Sequence, residues 1–139
     1  MLHSDIKLLI AIQLVAVTFL WVVLQCVLTT GAVNVGIGDF ALSSNSSGSS
    51  NTAVGQKALL MSTTANYNTA VGACSLTANT TGANNTSVGY ISLAKNTTGS
   101  RNTANGFYAL YCNTTGSCNV AVGSEAMEKN TTGDANVAV

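Results

Sequence analysis

Hydrophobic positions in this chain fall into two regimes. From Leu8 to Leu28 no residue is charged and most are apolar. From Asn34 onward, short apolar runs alternate with polar phrases at a fixed interval. Asn recurs at 34, 51, 68, 85, 102, 119 and 136, a period of 17 residues without insertion or deletion. Glycine keeps the same phase at 38, 55, 72, 89, 106 and 123. So does a four-residue phrase: NSSG at Asn45, STTA at Ser62, and NTTG at Asn79, Asn96, Asn113 and Asn130. The consensus is N-T-A-V-G-x-x-A-L-x-x-N-T-T-G-x-x, counted from position 1 at Asn34. Six full coils end at Ala135 and a seventh begins.

The repeat is too short for a helix pair. Its β-branched residues and evenly placed glycines predict strands and turns. Position 4 carries Ile37, Val54, Val71, Val88, Asn105 and Val122; position 9 carries Leu42, Leu59, Leu76, Leu93, Leu110 and Met127. Positions 3 and 8 are always Gly, Ala or Ser. Fixed columns imply stacked coils, so the predicted fold is all-β: a parallel β-solenoid (β-roll) of six 17-residue coils. At about 4.8 Å per coil, six coils make a rod on the order of 25–30 Å long. The Val and Leu columns are expected to point inward and the NTTG phrases to turn the chain at one edge. On that assignment Val71→Asp disrupts the stack and Thr77→Asp does not.

Two apolar columns bury too little to offset the ordering of 17 residues per coil. Inter-coil hydrogen bonds, Asn ladders and packing against another chain must contribute. The small Ala and Ser columns are the expected place for another chain's backbone to approach, which predicts self-association, most simply a homotrimer, or a larger structural assembly. The last residues, Asn136 to Val139, start a coil without an evident cap, which also points to an assembly.

Leu8–Leu28 is 21 residues long, enough to span a hydrocarbon core of roughly 30 Å as a helix. It exceeds the apolar region of a secretory signal. The expected organisation is therefore an N-terminal tail and transmembrane α-helix over 1–31, followed by the repeat domain over 32–139. Lys7 precedes the helix and no positive charge follows until Lys57, which places the repeats on the non-cytoplasmic side of a single-pass membrane protein.

Composition then removes whole classes of function. Net charge is zero and charged residues make up 7% of the chain, which leaves no footprint for binding nucleic acid through its phosphates. The single histidine, His3, lies before the apolar segment, so no His-based catalytic constellation forms on the rod of one chain. Neither a calcium-binding nonapeptide nor a phosphate loop occurs. The expectation is a non-enzyme with no catalytic residue, cofactor or metal.

Three candidate sites remain. Cys112 and Cys118 flank one turn and form a disulfide if that turn brings their Cα atoms within about 4.4–6.8 Å. Asn45, Asn79, Asn96, Asn113 and Asn130 are N-x-[ST] acceptors in a single column, joined by Asn84 and Asn85 elsewhere. They serve either as glycan sites on outward-facing turns or as the residue a turn prefers. In the fifth coil, Asn105 replaces Val, and Arg101, Phe107, Tyr108 and Tyr111 crowd the neighbouring positions, a candidate patch for a partner or a sugar.

The phrases NTAVG at Asn51 and Asn68 and NTSVG at Asn85 resemble the head repeats of trimeric autotransporter adhesins. They are similar also to repeats of phage tail fibres and large-virus structural proteins. The resemblance covers 34–139 and implies a left-handed parallel β-roll, a trimer and a host-binding or structural role, with no catalytic residue to carry over. The function expected is a membrane-anchored structural rod or spacer at a cell surface or in a membrane-containing virion, there as a minor capsid protein. An adhesin or glycan-binding fibre module is the alternative. Ice binding needs Thr at alternate positions of one face, and the adjacent Thr80 and Thr81 do not supply it.

Overall fold

The computed structural model describes residues 30–139. Its strands are β1 (Val35–Ile37), β2 (Thr52–Val54), β3 (Thr69–Val71), β4 (Thr86–Val88), β5 (Thr103–Asn105), β6 (Val120–Val122) and β7 (Val137–Ala138). Each pairs in parallel with the next in chain order, and the register never slips: Thr52 pairs with Thr69, Ala53 with Ala70 and Val54 with Val71. The described residues form an all-β parallel solenoid, as the period predicts. The expected transmembrane helix over Leu8–Leu28 lies outside the described residues. Among the described residues, no helix is long and apolar enough to cross a membrane.

A coil of 17 residues closes only by bending sharply several times. Gly72 at position 5 has φ +130, and a Cβ there would strike the Gly89 carbonyl one coil on. Positions 7, 9 and 17 enter the left-handed region with ordinary side chains, for example Cys74 at φ 56, Leu76 at φ 51 and Tyr67 at φ 58. Each such residue costs about 1–2 kcal/mol. The NTTG phrase bends the chain at Thr80 and Thr81, at the position expected.

The lumen is lined by positions 1, 3, 8, 9, 12 and 15. Ala53, Ala70, Ala104 and Ala121 at position 3, and Leu59, Leu76, Leu93 and Leu110 at position 9, are fully buried. The Val column is not. Ile37, Val71, Val88 and Val122 are exposed, Val71 by 36%. This corrects the inward assignment of the Val column and the expected effect of Val71→Asp. It also corrects the role given to the Ala and Ser columns, which lie inside and offer nothing to another chain. In a three-residue strand the middle side chain faces opposite to its neighbours. The lumen holds Ala there because the far wall is close: Ser87 at position 3 and Ser75 at position 8 bring their hydroxyl oxygens to 2.8 Å.

Asparagine supplies what the small core lacks. At position 1, Asn85 Oδ1 accepts from the Asn102 backbone N–H at 2.9 Å and from Asn102 Nδ2 at 3.2 Å, while Asn102 Nδ2 also donates to Gly116 O at 2.8 Å. Asn51, Asn68, Asn119 and Asn136 repeat the arrangement. At position 12, Asn113 Nδ2 donates to Asn96 Oδ1 and to Gly116 O, both at 2.9 Å. Thr80, Thr97 and Thr114 at position 13 each donate a hydroxyl to the carbonyl at the same position one coil on, at 3.0 Å. Side-chain oxygens at position 16, such as Ser100 and Asp134, accept from the backbone of the previous coil.

The position-12 ladder breaks in the second coil, where Ser62 stands for Asn and Ala65 for Gly. Ser62 Oγ is buried without a hydrogen-bond partner, alone in this among the described side-chain atoms. The two replacements are sterically coupled. A Cβ on Gly82 would strike the Gly99 carbonyl oxygen one coil on and come within 2.5 Å of Asn79 Oδ1, so Asn at position 12 is one of two groups that a side chain at position 15 meets.

Two predictions follow from this packing. Leu76→Asp buries a charge without a partner and abolishes the folded stack, whereas Val71→Asp shifts thermal stability by under about 1 kcal/mol; circular dichroism melts of the two variants decide it. In the second coil, Ser62→Asn alone and Ala65→Gly alone both destabilise, and the double variant is more stable than wild type by about 1–2 kcal/mol as the ladder closes. A double-mutant cycle with no coupling removes the steric account.

Candidate functional surface

Because the lumen is filled, anything this domain recognises meets the outward columns. Position 2 (Val35, Thr52, Thr69, Thr86, Thr103, Val120, Val137) and position 4 together form the solvent face of the seven-stranded sheet. No charge falls on it. In-register pairing stacks like on like, which makes two straight rows of methyl-bearing side chains. Asn105 belongs to this exposed row, so the departure in the fifth coil is a polar surface residue and leaves the core intact.

The expected partner patch is divided by the structure. Phe107 and Tyr108 have ring centroids 4.5 Å apart, and Tyr108 and Tyr111 4.8 Å. Tyr90, which sequence reasoning passed over, stacks on Phe107 at 5.9 Å with an interplanar angle of 17°. Lys95 places Nζ 4.4 Å from the Tyr111 ring centroid, a cation–π contact. Neither Arg101 nor Asn105 takes part in these ring contacts. The missed members were legible: Tyr90 is Phe107 minus one period, and Lys95 lies one coil above the neighbour of Tyr111. The result is a half-exposed ledge of four rings and one cation on the outer edge of coils four and five.

Cys112 and Cys118 are free thiols, as is Cys74. Between the first two the chain turns Asn113 and Gly116 inward, where they bond each other, while Cys112 stays half-buried and Cys118 is exposed. The acceptor asparagines point the same way as that turn. Asn45, Asn79, Asn96 and Asn113 are buried and Asn130 is half-buried, each with its amide nitrogen engaged inside. Among the described residues, no three His, Cys, Asp or Glu side chains gather in a way that holds a metal ion.

The chain matches no family model, no curated protein and no solved structure.

Proposed function

We propose that this protein is a non-enzymatic structural rod, anchored in a membrane by its apolar N-terminal segment with the repeats on the non-cytoplasmic side. It serves as a spacer at a cell surface or as a minor structural component of a membrane-containing virion. The observation that carries this reading is the use of the cross-section: six columns fill the lumen, and positions 1, 12, 13 and 16 tie each coil to the next. Little of the coil is left for anything but stacking. The same reading includes a homotrimer or larger assembly, supported by the uncharged Thr and Val rows on the flat sheet face. Contiguous apolar surface of this kind marks an interaction site.

A second reading, a glycan-binding fibre module, is favoured by the Tyr90, Phe107, Tyr108 and Tyr111 ledge, since sugar rings pack on aromatic faces and Lys95 adds a donor at its rim.

Sedimentation of the full chain in detergent tests the assembly. The wild type is expected to run as a trimer or larger species, and Val88→Asp as a monomer with an unchanged β spectrum. A wild type that stays monomeric at every concentration sinks the assembly claim. A glycan array separates the two readings. The rod reading expects no sugar bound, whereas selective binding that is lost in Phe107→Ala would replace it with the adhesin reading.

A further inference from the structure

Seven asparagines of this chain stand in N-x-[ST] acceptors: Asn45, Asn79, Asn84, Asn85, Asn96, Asn113 and Asn130. In a glycosylating lumen, transfer joins Asn Nδ2 to the anomeric carbon of an oligosaccharide. The lipid pyrophosphate that carried the sugar departs, and the amide loses one of its two protons. The enzyme takes the chain as it emerges unfolded, so every acceptor is exposed at that moment. What the finished coil does with each Nδ2 decides whether a sugar there is compatible with folding.

Six of the seven exclude it. Asn96 Nδ2 donates to Asn79 Oδ1 at 2.8 Å and to Gly99 O at 2.9 Å, which uses both protons. Asn113 and Asn130 do the same one and two coils on. Asn85, in the other ladder, donates to Gly99 O at 2.9 Å and is fully buried. A sugar on Asn96, Asn113 or Asn130 removes a ladder proton, whereas Asn45, Asn79 and Asn85 each donate one proton, to Gly48 O, Gly82 O and Gly99 O, and are buried with no outlet for a sugar. It also has to leave through a wall in which a single Cβ at the neighbouring glycine already collides with the Asn oxygen. Asn84 differs. It sits at position 17 with φ 59, a left-handed geometry that Asn tolerates, and its side chain is exposed and without a hydrogen bond; only its backbone N–H is used, toward Asn66 O at 3.1 Å.

We infer that this repeat domain folds only where no oligosaccharide is transferred to the six inward-facing N-x-[ST] asparagines, and that Asn84 is the single acceptor at which the folded coil tolerates an N-linked glycan. The inference stands on the direction of the amides and does not depend on the anchor or the rod role. It narrows the proposed location to a membrane whose far side lacks such transfer, such as a bacterial envelope, or to a virion assembled without passage through a glycosylating lumen.

The acceptors can be erased without touching the ladders, because the third residue of each is dispensable. Ser47, Thr81, Thr98, Thr115 and Thr132 are exposed, and Ser87 occupies a position that is Ala in the second, third, fifth and sixth coils. The test uses the full chain, as wild type and with Ala at these six positions. Both are made in the bacterial cytosol and, behind an added cleavable signal, in the lumen of a eukaryotic cell. Readouts are glycan occupancy by mass spectrometry and resistance to a broad-specificity protease. Both chains are expected to be resistant from bacteria. In the lumen the wild type is expected to carry sugar on the position-12 asparagines and to be digested, while the six-Ala chain carries it on Asn84 alone and resists. A wild type from the lumen that resists the protease while carrying sugar on any of the six overturns the inference. So does a six-Ala chain that is digested there, or equal sensitivity of both chains in both hosts.

Discussion

Successive coils of this solenoid superpose without slip, so every side chain meets its own kind about 4.8 Å away. A column must therefore be complementary to itself. Carboxamides satisfy that condition because each carries a donor and an acceptor, and hydroxyls satisfy it by bonding the carbonyl of the next coil. Small and branched apolar groups satisfy it by contact. Charges do not, and no column carries charges in successive coils: Lys95 and Lys129 share position 11 with Cys112 between them. The low charge content follows from the register.

The same constraint explains how a thin core holds. The lumen is narrow enough for the small residues of positions 3 and 8 to meet across it, and hydrophobic burial per coil is small. Two buried Asn ladders satisfy backbone groups that the short strands leave over, and their cost of burial is met because nearly every amide proton and oxygen has a partner. Such ladders are strong only when complete. The Ser62 and Ala65 pair shows the coil accepting a break by changing both members of a packed couple, one losing a carboxamide and the other gaining a methyl in the freed space.

Function is confined to what the columns leave outside. The strand face is repetitive and uncharged, suited to another regular surface. The aromatic ledge is local to two coils and breaks the repetition, as a specific contact does. Six of the seven N-x-[ST] asparagines look like surface chemistry in a linear reading and are architecture in the coil.

The 17-residue period by itself determined the solenoid, the coil count, the parallel order, the Leu core and the bend at NTTG, because a strict repeat admits few other solutions. It left open which side of the strand faces in. Choosing the larger apolar residue put Val inside, but the invariance of small residues at position 3 and the tolerance of Asn105 at position 4 were the available signals of the opposite. Only the tertiary structure decided it, through the width of the lumen, which depends on how sharply positions 5, 7, 9 and 17 bend. The same width turned the Asn of NTTG inward and joined Tyr90 and Lys95 to the rings of the fifth coil. Side-chain direction at a corner is set by φ, and left-handed φ at Leu, Tyr or Cys is not written in propensity; closure of the coil imposes it.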